Sequence, residues 1–240
     1  MSAGYTAPMS TSFPAGLPAS QAGSAKHPFL VIFVIALAAA LGFWFSQRHF
    51  DGDGTDAQAP QLQTVALFPS PLPLQPFELK SVDDKRITPN DFKGRWALVF
   101  FGFTHCPDIC PTTLARLAEA AKLWDKELDA AQRPAVLFVS VDPERDSGTR
   151  TTEYATYFDK AFLGGTNDDA KLQPMARGMG MVYAKEPLNT GIEGDYEVQH
   201  SASIVLIDPQ GRRAGLIRPP LDPAAIAADM ITLSKRGAEH

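Results

Sequence analysis

The stretch FFGFTHCPDICPTTL, residues 100–114, decides the fold. It continues an almost unbroken apolar run, RWALVFFGFT (95–104), whose β-branched and aromatic content predicts a strand buried on both faces. A Cys-Pro-x-x-Cys-Pro turn follows, and from Pro111 onward apolar residues recur at helical spacing. This order places both thiols at the carboxyl end of a strand and at a helix N-terminus, where open α/β sheets bind ligands.

The sequence on either side of this stretch predicts the rest of one α/β domain. FELKSVDDKRIT (77–88) alternates apolar and polar residues around Asp83–Asp84, which indicates a β-hairpin. Apolar runs and helical periodicity predict further strands at 135–141, 201–208 and 212–218, and helices at about 148–162, 168–178 and 223–235. Buried strand, helix, buried strand, helix, antiparallel hairpin and helix is the order of a thioredoxin-like fold, which we expect over residues 70–240.

The residues ahead of this domain predict a single membrane anchor. Residues 28–47 are 20 uncharged residues that would span ~30 Å as a helix, the thickness of a bilayer core. Residues 1–27, rich in Ser, Ala, Gly and Pro, are expected to form a disordered tail, and 48–69 a linker. A cleaved signal peptide and a buried core helix are the alternatives, but the apolar run exceeds a signal-peptide core and only a tail precedes it.

Composition and cysteine count narrow the function. The 240 residues carry a net charge of -5 and no basic stripe, so we expect no nucleic-acid partner. Cys106 and Cys110 are the two cysteines, and the loop that they would close is too short for a disulfide to stabilise the chain through its loss of entropy. They are therefore expected to serve chemistry rather than scaffolding.

The spacing of these cysteines leaves two chemistries open. Three residues separate them, so the turn can close a redox disulfide or direct two sulfurs at one soft cation. The helix N-terminus is expected to favour thiolate over thiol. Soft thiolates select Cu(I) or Zn(II), and a third ligand is needed to complete either site.

Several side chains compete for the place of third ligand. His200 lies at the start of the predicted strand 201–208, and the loop before that strand packs against the cysteine turn in a thioredoxin-like layout. His105 is placed on the strand before Cys106 and is expected to point away from it. The remaining candidates are expected to fill core gaps, to be solvated or to lie at the terminus: Met175, Met179 and Met181; Asp108; and His240. The charges of DPERD (142–146) are expected to form a turn or a surface that faces a partner.

Taken together, these motifs resemble the SCO/SenC family of copper proteins, which serve cytochrome c oxidase assembly. The resemblance covers roughly residues 70–235 and rests on the cysteine turn followed about 90 residues later by His-Ser. Four further motifs carry it: SVDPERDS (140–147), LGGTND (163–168), YEVQHSAS (196–203) and LIDPQG (206–211). It implies that Cys106, Cys110 and His200 bind one copper ion, Cu(I) or Cu(II). One departure is Gln199, because the family usually has Asp immediately before the ligand His.

The resemblance implies a metallochaperone that delivers copper to the binuclear copper centre of cytochrome c oxidase. Its expected partners are the copper-bearing oxidase subunit and other copper chaperones. The resemblance also implies that the domain lies in the periplasm and is attached to the inner membrane by a single-pass anchor. We expect a bacterial protein, because the short tail lacks the Arg-rich character of a transit peptide.

An enzyme is the alternative: a thiol–disulfide oxidoreductase that reduces the cysteines of the oxidase copper site, or a redox sensor. Cys106 would attack a disulfide and Cys110 would resolve the mixed disulfide. A structural zinc site normally has four protein ligands and no open position. A peroxidatic cysteine needs an activating Arg or Thr and poorly tolerates a second thiol four residues away. We therefore favour neither a zinc site nor a peroxidase.

Overall fold

The computed structural model describes residues 28–50, 61–188 and 195–237, and the chain divides into two units between Gln58 and Ala59. The expected disordered tail (1–27), the early part of the expected linker (51–60) and His240 lie outside the described residues.

Helix α1, Pro28–Phe50, is the described part of the first unit. Its stretch Phe29–Ser46 contains no charged residue and buries none of its side chains within the protein. At ~1.5 Å per residue the helix is about 34 Å long, enough for a bilayer core. By length and composition α1 can therefore serve as a membrane anchor, and it extends three residues beyond the span predicted from the sequence.

The second unit contains ten strands and four α-helices in its described residues. The strands are β1 (Val65–Pro73), β2 (Leu79–Lys80), β3 (Arg86–Ile87), β4 (Ala97–Gly102), β5 (Ala135–Ser140), β6 (Leu163–Gly165), β7 (Tyr183–Pro187), β8 (Tyr196–His200), β9 (Ile204–Ile207) and β10 (Arg212–Ile217). The helices are α2 (Ile109–Trp124), α3 (Gly148–Phe158), α4 (Asp169–Gly178) and α5 (Pro223–Gly237).

Six of the strands form one mixed sheet in the order β1-β10-β9-β4-β5-β6. Strands β4, β5 and β6 run parallel, whereas β9, β10 and β1 are added antiparallel. Every residue of β4, β5 and β9 is buried, as expected for central strands covered on both faces. Helix α2 packs against α5, and α3 packs against β5 and β6. The Cys loop between β4 and α2, defined here as residues 103–108, therefore follows a fully buried central strand of the sheet.

Strand β1 begins inside the segment that the sequence assigns to the linker. Its sequence, VALFPSPLP, contains three prolines and is mostly exposed. Proline cannot donate a hydrogen bond to a neighbouring strand, so it is confined to sheet edges and irregular positions. β1 fits both conditions: it is the outermost strand, and its register against β10 shifts between Leu67 and Leu72. The same prolines explain why the sequence predicts an extended linker there.

Two further predictions are corrected at their boundaries. The hairpin predicted around Asp83–Asp84 is present as β2 and β3, joined by a 3-10 turn. The strand predicted from residue 201 begins only at Ile204. His200 belongs instead to β8, the second strand of a separate hairpin, β7–β8, which the sequence analysis did not predict.

Candidate metal centre

The two cysteines lie on either side of the start of helix α2. Cys106 is in the Cys loop and half-buried, whereas Cys110 is in the first turn of α2 and fully buried. Both thiols are free. Gly102, the last residue of β4, makes room for them, because a Cβ atom there would lie 2.5 Å from the Cys110 Sγ atom. A side chain at position 102 would push the second sulfur out of place.

His200 completes a group of three soft or borderline ligands. Its Nε2 atom lies 3.4 Å from the Cys110 Sγ atom, and the Cys110 backbone N–H donates to the Cys106 Sγ atom at 3.4 Å. The ligand atoms of Cys106, Cys110 and His200 all lie within 4.8 Å of one another. The fold therefore brings together the three residues that the sequence analysis selected, although 90 residues separate Cys110 from His200.

The surroundings of the His200 ring set which nitrogen faces the sulfurs. The Nδ1 atom lies 3.2 Å from the Ser201 carbonyl oxygen, which can only accept, so Nδ1 carries the proton. Nε2 therefore presents its lone pair to the thiols. Phe100 and Phe103 meet the ring edge-on, each with its centroid 5.9 Å away. Burial lowers the pKa of His200, which favours the neutral imidazole that binds metals.

Burial has the opposite consequence for Cys110. It raises the pKa of the Cys110 thiol far above the ordinary cysteine value, and the nearby Cys106 adds to the shift. The thiolate that we expected from the helix N-terminus is thus not the resting form of this sulfur. A soft cation that replaces the proton removes the cost of a buried negative charge. The buried sulfur is consequently better suited to a metal than to free nucleophilic chemistry.

A clamp formed by Asp142, Arg145 and Tyr196 holds the hairpin that carries His200. The Tyr196 hydroxyl donates to the buried Asp142 carboxylate at 2.6 Å, and Arg145 Nε donates to the same carboxylate. The Arg145 guanidinium lies 4.1 Å from the centre of the Tyr196 ring and donates to the Tyr196 carbonyl oxygen at 3.4 Å. On the neighbouring strand, Lys185 donates to Glu144 at 2.8 Å. These contacts attach β7–β8 to the loop after β5.

The turn predicted at DPERD (142–146) is present, with the backbone N–H groups of Arg145 and Asp146 donating to the Asp142 carbonyl oxygen, whereas its two aspartates do not form the alternative, a surface that faces a partner. Asp142 is fully buried and Asp146 nearly so. Asp146 accepts hydrogen bonds from the Ser140 hydroxyl and from both the backbone N–H and the hydroxyl of Thr104. It thereby fixes the Cys loop two residues before Cys106. Charged residues are rarely buried unless paired, so their pattern in sequence indicates a turn or an exposed surface instead.

His105 lies in the Cys loop and not on the strand before it, which corrects its predicted location. Its ring nitrogens lie 3.7 Å from the Asp146 carboxylate and 3.4 Å from an Arg150 nitrogen. It therefore faces the loop-fixing carboxylate rather than the metal centre. The three candidate methionines, Met175, Met179 and Met181, are buried in the core, and Asp108 and Gln199 are exposed beside the site.

We expect Tyr196→Phe to loosen the hairpin that carries His200. The variant keeps the ring but removes a hydrogen bond to a buried carboxylate, which costs about 1.5–3 kcal/mol. Urea unfolding would measure that loss, and amide hydrogen exchange would show faster exchange in β7 and β8 than in β4. Tyr157→Phe is the matched control because the Tyr157 side chain is exposed, and it should change neither quantity. Unchanged exchange in β7–β8 of Tyr196→Phe would contradict the clamp.

The comparisons with known proteins agree with this geometry. Residues 70–235 match the SCO1/SenC family model. The chain belongs to the SCO1/SenC family. Protein SCO2 homolog, mitochondrial, of Danio rerio is 32% identical over 197 residues, which is 81% of this chain and 67% of that protein. Across curated relatives that are 32–38% identical to it, the chain spans 39–74% of their length.

Solved structures of SCO proteins establish the thioredoxin-like fold. One is the structure of Bradyrhizobium japonicum ScoI with copper bound, whose sequence is 33% identical to this chain and whose TM-score is 0.59. The matched region covers 67% of this chain and 99% of the ScoI chain. Another match is to the solution structures of apo Sco1 from Thermus thermophilus, with 30% sequence identity and a TM-score of 0.62. The matched region covers 73% of this chain and 99% of the Sco1 chain. The α/β thioredoxin-like fold predicted from the sequence is confirmed for this SCO1/SenC protein.

Proposed function

We propose that this chain is a copper-binding SCO protein linked to cytochrome c oxidase assembly, and that it acts as a membrane-anchored metallochaperone. Its cargo is one copper ion, held by Cys106, Cys110 and His200. One observation carries the proposal: the three ligand atoms lie within 4.8 Å of one another in a chain whose copper-bound relative shares its fold.

The donor set fits copper better than the alternatives. Two thiolates and a neutral imidazole are the soft and borderline donors that Cu(I) prefers, and a closed structural zinc site would take a fourth ligand. Cys106 and His200 also line a surface cavity of about 190 Å³, so a thiol or imidazole of another protein can approach the ion. A three-coordinate ion with an accessible side supports release by ligand exchange.

The recipient is the binuclear copper centre of the oxidase, and the chain's domain is on the periplasmic side of the inner membrane. Helix α1, long and apolar enough to span a bilayer, supports attachment to the membrane in which an oxidase resides. The family resemblance supports the side, because the oxidase copper centre faces away from the cytosol. Other copper chaperones are the proposed donors.

Thiol–disulfide exchange is the second candidate, and the partial exposure of the Cys106 sulfur supports it. The half-buried Cys106 thiolate would attack a disulfide of the target and release one target thiolate, forming a mixed disulfide. Cys110, fully buried beside it, would then displace the second target thiolate and leave a Cys106–Cys110 disulfide. Reduction of the target and oxidation of the chain balance in two electrons.

Copper content tests the primary proposal. The full chain in detergent micelles, with Cys106→Ser, Cys110→Ser and the double variant, would be loaded with Cu(I) without oxygen and passed through a desalting column. We expect one copper per wild-type chain and loss of copper in every serine variant, since each removes a thiolate. Met179→Leu, a volume-conserving change in the core, is the control and should stay loaded. A fully loaded double-serine variant would refute the site.

A further inference from the structure

Strand β8 has an edge that no strand covers in the described part of the chain. It pairs with β7 alone, in a two-stranded sheet. Arg145 donates to the Tyr196 carbonyl oxygen at the start of β8. The register against β7 then leaves Val198 and His200 as the residues of β8 whose backbone N–H and C=O groups point to the free edge. An uncovered strand edge presents N–H and C=O groups that can pair with an added strand.

This edge, rather than a face of β8, lines the cavity at the metal centre. Successive side chains of a strand point to opposite faces, so a cavity against a face would be lined by alternate residues. Four consecutive residues, 197–200, line this cavity instead. The cavity therefore runs along the β8 edge and past His200 to Ala202.

The opposite wall of the cavity is the Cys loop and the first residue of α2. Cys106, Pro107 and Ile109 contribute to it, and Ile109 exposes 45% of its surface. An apolar side chain this exposed beside a free strand edge forms an anchor point for an extended segment. A volume of about 190 Å³ suits one or two side chains of such a segment rather than a globular surface.

Charge selects among extended segments. Asp108 and Glu197 are the charged residues that line the cavity, and both are exposed. The whole chain carries a net charge of -5. A segment with lysine or arginine beside its metal-binding residue would be attracted, whereas an acidic one would be repelled.

We propose that the groove between the β8 edge and the Cys loop docks an extended, basic, cysteine-bearing segment of the protein that exchanges copper with this chain. The segment adds as a third strand to β7–β8 and brings its thiol to the ion. The identity of the occupant as a copper-exchange partner rests on the proposed function, whereas the docking mode rests on the groove.

The first test uses peptides that cannot bind copper, so that docking is measured by itself. The metal-free full chain in detergent micelles would be titrated with acetyl-Lys-Thr-Val-Ser-Val-Thr-Lys-amide and with its counterpart that has Glu in place of Lys. We expect the lysine peptide to bind more tightly, and Glu197→Lys to weaken its binding by about fivefold. Glu186→Lys is the matched control, because Glu186 lies directly opposite Glu197 on β7 and does not line the groove. Equal binding of the two peptides, or equal effects of the two variants, would overturn the proposal.

The second test examines strand addition directly. In a strand added to an edge, alternate N–H groups pair with that edge. Two N-methylated lysine peptides, one modified at odd and one at even positions, should therefore differ, with only one losing its binding. If both bind equally well, the segment does not add as a strand and the proposal is wrong. A chain that docks the peptide as expected but retains no Cu(I) would refute the proposed function and leave the docking surface standing.

Discussion

His200→Ala is expected to lower the affinity for Cu(I) at least about a hundredfold while leaving thiol–disulfide exchange nearly unchanged. Loss of a residue that merely orients a metal ligand typically costs 10- to 100-fold in metal affinity, and we propose His200 as a direct ligand. Its Nε2 atom lies 3.4 Å from the buried Cys110 Sγ atom, whereas the sulfur that attacks the target disulfide in exchange is that of Cys106. The variant therefore separates the two functions that the cysteines allow.

Competition with a chromophoric Cu(I) chelator would measure the affinity, and reduction of a small aromatic disulfide would measure the exchange. His105→Ala is the matched control, since it removes a histidine adjacent to Cys106 whose ring faces Asp146 instead. It should retain copper. Equal loss of both activities in His200→Ala would mean that the ring positions the thiols, and unchanged copper affinity would remove His200 from the site.

The part of the site that could be predicted from the sequence is the part encoded locally. Residues 100–114 contain a buried strand, a turn and a helix start in direct succession, and the structure has all three in that order. His200 was found by its place relative to a predicted strand and by the family motif. The prediction placed His200 in a loop at the start of strand 201–208, whereas it is the last residue of β8. The expectation that it lies against the cysteine turn is confirmed.

The supporting parts of the site were missed because their signals are not local. β7 and β8 are short and polar, YAKEP and YEVQH, and become strands only by pairing with each other across the intervening residues. Asp142 gives no sign of burial in sequence, because its burial depends on Tyr196, 54 residues away. A turn of charged residues at the surface and a buried clamp have the same sequence pattern, and only the distant partner distinguishes them.

Asp229 presents the same kind of long-range pairing, and its replacement should produce a large loss of stability. This carboxylate on α5 is 2% exposed and accepts hydrogen bonds from the backbone N–H groups of Gln63, Thr64 and Val65 and from the Thr64 hydroxyl. These hydrogen bonds connect the start of β1 to helix α5, which lies more than 160 residues later in the chain. Asp229→Ala leaves several of these N–H and O–H donors without an acceptor. Each donor that water cannot reach would lower the free energy of unfolding by about 1–3 kcal/mol.

We therefore expect Asp229→Ala to lower the free energy of unfolding by about 3 kcal/mol. With a slope near 2 kcal/mol per molar urea, the midpoint of unfolding would fall by about 1.5 M. Fluorescence of the buried Trp96 and Trp124 would follow the transition in the metal-free chain. Asp222→Ala is a graded control on the same helix, because this exposed carboxylate caps the first N–H groups of α5 and should cost about 1 kcal/mol. Equal losses in the two variants would mean that the attachment of β1 through Asp229 adds no more than an ordinary helix cap, and that the sheet holds its edge strand through β10 alone.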